Sequence, residues 1–595
     1  MYIKNEILIC TGSGCESSRS KAIYIKFKEL IKKYNLEKNI IIKQTGCFGL
    51  CSKGPLVLIY PEGALYKKVT VDDVKSIVQN HIIKNNIVKN LIYKDENKKL
   101  SEITPFEELN FFAKQNRLVL NNCGLIDANT IYDYLKRNGY KALEQTIKEK
   151  DKKKLIEKIK KSKLKGRGGA GYLTGLKIEK IYNEQVETKY VICNGNEGDP
   201  GAFIDRTILE GNPHCIIEAV TIVANIIGAK IGYIYMKKDY SLAYKRVIKA
   251  IKDAKVNKYL GDNILNSEFS FDINVVTGPS SFICGEETAL IKILEGKRAI
   301  PDQKPYYPVN KGLFDKPTIV NNAETLANIP FIIKNELKDF LQISNSQSSG
   351  TKIITLSGNV KNPGLIEVPF GTKLREIVEE IGLKEDDIKI KALQVGGPLG
   401  GFIPYEKIDL KLDYNSLKEE EAIIGSGSIV VLDQSKCIVD MTRFLLKFAV
   451  EESCGKCIPC TIGGMRALEI LENIVIGKGT KEDIEELYDL ANTMRLTSLC
   501  GLGKSMSNPI LSSLKNFRHE YDFHVENKKC NALYCKELIE YKIKAYCVGC
   551  TKCISICPTY AISGELEKVH QIDQSKCIKC DRCIDICPFD AIIKE

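Results

Sequence analysis

No apolar run in this chain reaches the ~18 residues that a membrane-crossing helix needs, so no membrane span is expected. The opening residues, MYIKNEILIC, lack the basic start, apolar stretch and cleavage site of a secretory signal. The 23 cysteines are therefore expected to stay reduced in a cytoplasm and to bind metal rather than form disulfides. A concentrated basic stripe is also missing. The net charge is +12, yet the lysines are scattered apart from a helix-like stretch over 151–165, so no nucleic-acid partner is expected. At 595 residues and 44% hydrophobic content the chain has the size of about four globular domains.

What the chain does have is cysteine in order. Sixteen of the 23 fall into iron–sulfur spacings. The C-terminal run is Cys547-x2-Cys550-x2-Cys553-x3-Cys557-Pro558, and it recurs as Cys577-x2-Cys580-x2-Cys583-x3-Cys587-Pro588. In such a doublet three close thiolates wrap one [4Fe–4S] cluster, and the fourth Cys of each half ligates the cluster of the other half. A zinc ribbon or a disulfide scaffold is the alternative. This doublet is the only internal repeat, and it makes the chain an electron carrier.

The first segment alternates apolar strands (Ile7–Cys10, Ile40–Lys43, Leu56–Tyr60) with a helix over Lys21–Tyr34. Cys10-x4-Cys15 and Cys47-x3-Cys51 each follow a strand on a glycine-rich loop. Four thiolates on two strand-end loops suit a [2Fe–2S] rhomb, with tetrahedral zinc the alternative. Through CTGSGC and GCFGLC the segment resembles the thioredoxin-like ferredoxin. A redox Cys-x-x-Cys is absent from it, so thioredoxin activity is not expected. A later β-rich stretch, with strands at Ile353–Ser357 and Leu365–Val368 around Asn362-Pro363-Gly364 and a helix near Lys373–Ile381, resembles the β-grasp module called SLBB. A structural role is expected for it.

Gly166-Arg167-Gly168-Gly169-Ala170-Gly171 satisfies G-x-G-x-x-G, but a lysine-rich helical stretch precedes it where a Rossmann turn needs a strand. Crowded glycines still let backbone N–H groups approach a phosphate or a flat ring, and a merely structural loop is the alternative. Downstream come Asn194-Gly-Asn196-Glu197-Gly-Asp199-Pro-Gly201, Gly285-Glu286-Glu287-Thr288 and Asn321-Asn322-Ala323-Glu324-Thr325. The acids can hydrogen-bond ribose hydroxyls and the asparagines can read flavin carbonyls and ring nitrogens; taken singly, each acid reads as a solvated or capping residue.

Together with Lys304-Pro-Tyr-Tyr307-Pro and Asn212-Pro213-His214, these motifs resemble the NADH-oxidising flavoprotein subunit of complex I and its relatives, over about 110–510. The resemblance implies FMN in a modified Rossmann-like fold with NAD(P) stacked upon it. It puts FMN phosphate and ribityl contacts on Gly166, Arg167, Gly168, Lys177, Asn194, Asn322 and Thr325. It puts ring contacts on Asn196, Glu197, Asn321 and Gly285. Dinucleotide contacts fall on Gly169, Ala170, Tyr172, Asp199, Glu286, Glu287, Lys304 and Tyr307. The chain departs from the pattern in carrying Tyr172 and Tyr307 for Phe, Asn196 for Asp and Asp199 for Glu. The last weakens any choice of NAD over NADP. Asn196 removes a negative charge near the flavin and is expected to raise its potential. In the same family Cys454, Cys457, Cys460 and Cys500 hold a [4Fe–4S] cluster beside the flavin; here Thr461 stands where an Arg often follows the third Cys.

Seven cysteines are left. Cys123, Cys193, Cys215 and Cys284 lie in apolar contexts and are expected to be buried and inert. Cys530 and Cys535, with His524 before them and Cys437 after the β-grasp module, suit a zinc staple of one His and three Cys; surface thiols are the alternative.

The expected architecture is therefore α/β and multidomain: a thioredoxin-like [2Fe–2S] domain (1–85), a lead-in segment (86–150), a Rossmann-like FMN- and NAD(P)-binding domain (151–335), the SLBB β-grasp (350–433), a helical [4Fe–4S] domain (437–525) and a 2×[4Fe–4S] ferredoxin (526–595). The cofactors implied are FMN, NAD(P), one [2Fe–2S], three [4Fe–4S] and zinc. Clusters and flavin phosphate bring the charge of +12 down to roughly +2. The order of modules resembles the beta subunit of electron-bifurcating and NAD(P)-reducing [FeFe] hydrogenases. It implies a hydrogenase catalytic subunit, a small [2Fe–2S] subunit and ferredoxin as partners, since the chain lacks the hydrogenase's catalytic cysteine motifs. The alternatives are the diaphorase subunit of an NAD-dependent formate dehydrogenase, a complex I-like NADH dehydrogenase subunit, and a pure relay with a dead flavin site.

Overall fold

The computed structural model describes residues 4–95, 104–303, 307–344 and 347–595. The chain divides into two compact units, one of Met1–Ile388, Leu393–Val431 and Leu499–Gly501, the other of Lys389–Ala392, Leu432–Ser498 and Leu502–Glu595.

The first unit opens with β1 (Asn5–Cys10), β2 (Ile40–Thr45), β3 (Val57–Tyr60) and β4 (Ala64–Tyr66), ordered β2-β1-β3-β4. β1 is parallel to β2 and antiparallel to β3. The helix Ser20–Lys33 buries Ile23, Phe27, Leu30 and Ile31, spaced as one face of a 3.6-residue period, in the same core as Ile7, Ile9, Val57 and Ile59. This packing fixes Cys10 at the end of β1 and Cys47 just beyond β2.

The polar lead-in is a strap rather than a linker. Phe48, between the two cysteines of its loop, is fully buried with its ring edge-on to Phe106 at 5.7 Å. Further on, Val119 and Leu120 donate backbone N–H bonds of 2.8 Å to the buried carboxylate of Glu367.

Next come β5 (Tyr190–Gly195), β6 (Ile231–Lys237), β7 (Asp272–Gly278) and β8 (Thr318–Asn322), all parallel in the order β7-β6-β5-β8. The helix Pro213–Ile227 is apolar on nearly every face and correspondingly buried, begins on Pro213 and ends at Gly228 in the left-handed region. As expected, a helix (Lys152–Lys161) and not a strand precedes the Gly166–Gly171 loop, and Thr174–Asn183 follows it. The β-grasp strands are β9 (Thr351–Gly358), β10 (Gly364–Pro369), β11 (Ile390–Val395), β12 (Gly401–Pro404) and β13 (Ser428–Asp433), ordered β10-β9-β13-β11-β12.

The second unit holds the helices Ile438–Glu451, Gly464–Val475, Lys481–Thr497 and Asn508–Glu526. In its ferredoxin region β14 (Tyr541–Ile543) pairs with β17 (Ile592–Lys594), and β15 (Ile562–Ser563) with β16 (Gln571–Ile572). Among the described residues no helix is long and apolar enough to cross a membrane.

Candidate functional site

Adjacent parallel strands β5 and β8 run in register, with Cys193 opposite Asn321 and Asn194 opposite Asn322. Their carboxyl ends thus gather three asparagines at the edge where open α/β sheets bind ligands. Asn194 Nδ2 donates to Gly285 O at 2.9 Å, Asn196 N to Asn194 Oδ1 at 3.0 Å, and Asn196 Nδ2 to Ser281 O at 3.3 Å. The glycine loop closes over the same end: Arg167 N donates to Thr325 Oγ1 at 2.8 Å, and a Cβ on Gly168 would stand 3.3 Å from that of Asn322. Asn196 Oδ1 and Asn321 Nδ2 are buried without a partner among the described residues. An unpaired acceptor and an unpaired donor at one sheet edge fit the alternating edge of a flavin ring, because buried polar atoms are rarely left unsatisfied.

The charged residues are more committed than their sequence suggests. The fully buried Arg167 guanidinium donates to Lys165 O (3.2 Å) and Ser349 O (2.7 Å) and lies 4.4 Å over the Phe370 ring. Two guanidinium nitrogens are thus spent on carbonyls, while the buried Nε has no partner among the described residues. Lys177 donates to Val320 O at 2.7 Å and pairs with Glu287. Glu286 caps the helix Glu287–Leu294 by accepting from Thr288 N (2.9 Å) and Ala289 N (3.0 Å). Glu197 caps the helix Ile204–Gly211 through Ile204 N at 2.6 Å. Burial pushes the carboxyls of both Glu197 and Glu286 upward. Tyr172 and Tyr307 are half exposed; Gly169 and Ala170 lie on the same loop as Tyr172, and Lys304 lies outside the described residues.

Several residues at this site carry no motif. Asp205 accepts from Asn322 Nδ2 at 2.6 Å, and burial holds its carboxyl well above the usual range. The β-grasp module, expected only to support, reaches the site directly. Tyr414 OH donates to Gly166 O at 2.8 Å, and Ser426 donates to Asp199. Gly397 lies so close that a Cβ there would meet Asp199 Oδ2 at 2.3 Å, at a φ of +73° that itself favours glycine. Burial raises the Asp199 carboxyl to about 6. The runs Gly396-Gly397 and Gly425-Ser426-Gly427 were the one sequence signal that could have found this wall.

The N-terminal and ferredoxin-region thiols that the spacing groups gather within their own segments. Cys10 lies beside Cys15 and Cys47, which with burial push its thiol well up, and Cys47 Sγ lies 3.5 Å from Cys51 Sγ. The neighbouring thiols of Cys10 and Cys51, with the Gly49 N–H, hold Cys47 well below the usual thiol range. Gly49 N donates to it at 3.3 Å. Cys454 and Cys457 lie in the turn after the helix Ile438–Glu451; Cys460 is buried in the next helical turn, 3.3 Å from Ser453 Oγ; and Cys500 precedes the helix Gly501–Ser505. In the ferredoxin region one cavity is lined by Cys547, Cys550, Cys553 and Cys587, and another by Cys577, Cys580, Cys583 and Cys557. Each therefore takes its fourth thiol from the other half, as the spacing requires.

Cys437, His524, Cys530 and Cys535 are all buried, with their ligand atoms within 4.8 Å of one another. His524 Nε2 lies 3.4 Å from both Cys437 and Cys535, while its Nδ1 donates to Glu520 O at 2.7 Å, which fixes the ring as metal-binding histidines are fixed. These are not surface thiols. Cys123, Cys193, Cys215 and Cys284 are buried as expected, and burial pushes Cys123 up to about 12.

Family models match along the chain in the expected order: thioredoxin-like [2Fe-2S] ferredoxin (3–81), Nuo51 FMN-binding domain (159–331), SLBB domain (353–402), NADH-ubiquinone oxidoreductase-F iron-sulfur binding region (440–524) and 4Fe-4S dicluster domain (546–591). The chain is 46% identical over 484 residues to the NADP-reducing hydrogenase subunit HndC of Solidesulfovibrio fructosivorans, covering 81% of this chain and 98% of the relative. It is 38% identical to a subunit of the NADH-quinone oxidoreductase of Rhizobium meliloti, covering 69% of this chain and 98% of the relative. A solved NAD+-reducing [NiFe]-hydrogenase in the H2-reduced state shares the fold, with a TM-score of 0.61, 24% identity and coverage of 88% of this chain and 85% of that one.

Proposed function

The chain belongs to the family of NADH-binding flavoprotein subunits that includes those of NADH-quinone oxidoreductases and the hydrogenase protein HndC, and from that premise we propose a specific division of labour within it. As a member it is an NAD(P)H oxidoreductase subunit with FMN and iron–sulfur clusters. We assign it one [2Fe–2S] cluster on Cys10, Cys15, Cys47 and Cys51. We assign it three [4Fe–4S] clusters, on Cys454, Cys457, Cys460 and Cys500 and on the two crossed ferredoxin sets. Its electrons pass to a hydrogenase catalytic subunit, with a small [2Fe–2S] subunit and ferredoxin as further partners, in a reducing cytoplasm. In a bifurcating complex the flow through the same stations reverses.

The observation that carries this reading is the pair of unsatisfied asparagine atoms, Asn196 Oδ1 and Asn321 Nδ2, beneath a glycine loop at the carboxyl end of a parallel sheet. FMN, when bound, supplies the exchange between a two-electron hydride donor and one-electron carriers. The chain's own residues bind and orient. Gly168, Lys177, Asn194, Asn322 and Thr325 hold the phosphate and ribityl chain, while Gly166 and Arg167 shape the loop through N–H bonds to Tyr172 O and Thr325 Oγ1. Asn196, Asn321 and Gly285 fix the ring, and Glu197 holds the start of the helix Ile204–Gly211 beside them; Gly169 and Ala170 face the dinucleotide. Tyr172 and Tyr307 offer aromatic faces to the dinucleotide. No side chain is required to move a proton. Anaerobic addition of NADH and of NADPH, followed by flavin absorbance and EPR, tests the proposal. One nucleotide should bleach the flavin and bring up cluster signals; a chain loaded with FMN and iron that neither reduces would refute it.

For Cys437, His524, Cys530 and Cys535 we assign zinc, since three thiols and one imidazole form a closed tetrahedral donor set. Cys530→Ser should lose about one zinc per chain by metal analysis while iron is kept; unchanged zinc excludes the assignment.

A further inference from the structure

The two halves of the ferredoxin region match closely around their thiols. Ala561 N donates to Cys557 Sγ at 3.3 Å, and Ala591 N to Cys587 Sγ at 3.4 Å. An exposed cation, Lys552 or Arg582, stands two residues after the second cysteine of each motif and lines its cavity. Features shared in this way shift both halves alike.

His570 breaks the match. It is 2% exposed, lines the cavity of Cys547, Cys550, Cys553 and Cys587, and brings Nδ1 to 3.3 Å from Cys553 Sγ. Its Nε2 is buried without a partner among the described residues. This selects the tautomer. A proton on Nε2 would bury an unpaired N–H and turn the Nδ1 lone pair onto a thiolate. A proton on Nδ1 makes a charge-assisted bond and leaves only an empty acceptor. The ring is held in place by Gly564, where any Cβ would stand 2.1 Å from His570 Cδ2. The other half offers no equivalent: among the described residues no side chain donates to Cys583 Sγ. Among the other differences, Thr559 where the second half has Phe589 gives Cys557 a contact of 3.8 Å at a partly exposed position, too long and too wet to compete, and Tyr541, which lines the second cavity, spends its OH on Asp581 and not on a thiol.

We propose that His570 donates an N–H···S hydrogen bond to Cys553 and so makes the cluster on Cys547, Cys550, Cys553 and Cys587 the more easily reduced of the C-terminal pair. The proposal rests on the iron–sulfur reading above. A donor on a ligand sulfur draws off negative charge and favours the state with one more electron, which raises the potential. His570 gives the pair a direction through a side-chain donor that the other cluster's Cys583 lacks.

The test is an EPR-monitored redox titration of the full-length holoprotein, beside His570→Phe and His570→Asn, after counting iron. In His570→Phe one [4Fe–4S] wave should move to lower potential while the others stay. His570→Asn, whose amide can replace the Nδ1 donor, should recover most of the shift. With nitrogen-15 histidine, pulsed EPR of the moved cluster should show a nitrogen coupling that His570→Phe abolishes. Unmoved waves in a fully loaded His570→Phe overturn the proposal. Should that variant lose iron, the coupling in the unsubstituted protein decides alone: its presence supports the bond and its absence overturns it. Iron missing from the unsubstituted protein would instead defeat the cluster reading.

Discussion

Replacing Lys352 with methionine removes the cation from an ion pair sealed from water on both sides. The side chains of Lys352 and Glu324 are 0% and 2% exposed and meet at 2.5 Å. Lys352 Nζ also donates to Ser426 O at 2.7 Å and Ile353 O at 2.9 Å, and Glu324 Oε1 accepts from Ile353 N at 2.9 Å. Glu324 stands between Asn322 and Thr325, so this pair ties β9 to the residues that close the glycine loop. Lys352→Met leaves a buried carboxylate unpaired and two carbonyls without their donor, which costs about 3–5 kcal/mol. Adding Glu324→Gln removes the stranded charge, and the double variant should regain more than half of the loss. Urea-driven release of flavin fluorescence reads the difference. The slope grows with the surface exposed, to roughly 6 kcal/mol per molar urea for a large unit, so the single variant should lose at least ~0.5 M in midpoint. A midpoint within ~0.3 M of the unsubstituted chain, or a double variant no better than the single one, would mean that the buried charge is not what the lysine neutralises.

Gly46→Ala would drive a Cβ to 2.3 Å from Gly211 Cα; the overpacking costs about 1–3 kcal/mol and should appear as lost iron and an altered [2Fe–2S] circular dichroism, whereas intact spectra would show that these loops separate freely. Asn196→Asp places a carboxylate among the buried asparagines, so the flavin midpoint should fall, by ~30 mV for each ~1.4 kcal/mol in a two-electron couple; potentiometry of both proteins checks it. Buried His214, whose Nδ1 meets Tyr140 OH at 2.9 Å, is held neutral by burial, with its pKa lowered to about 3. A depressed folded pKa contributes stability that is complete above the unfolded value of about 6.5 and is lost as pH falls toward 3, at most ~5 kcal/mol. Burial raises neighbouring Glu218, which works oppositely by taking up its proton earlier in the folded chain. The melting temperature of His214→Phe should therefore lie below that of the unsubstituted chain at pH 7, with the gap closing toward pH 4; parallel curves would contradict this.

The grouping of the thiols was legible in the sequence because such spacing is local. Three thiols of one loop must share one cavity, so spacing alone grouped Cys547, Cys550 and Cys553, and the crossed fourth cysteine followed from the repeat. Strand ends were legible for a similar reason: Asn194 and Asn322 terminate apolar runs. The β-grasp wall was not. Lys352, Phe370, Gly397, Tyr414 and Ser426 lie between 28 and 248 residues from their partners, and no periodicity links residues so far apart. Helix caps hid a second layer, since Glu197 and Glu286 follow ligand motifs yet spend their carboxylates on backbone N–H groups. His570 sits in an irregular insert whose meaning depends on a buried 3.3 Å contact with Cys553.

That a flavin in this cleft takes electrons from a nicotinamide nucleotide and hands them to the clusters is met most directly by anaerobic viologen reduction by the reconstituted chain, with NADH and NADPH in parallel. Turnover is expected with at least one nucleotide, and it should vanish when FMN is withheld. No turnover with either, in a chain with flavin and iron fully loaded and its partners supplied, would contradict the flavin route.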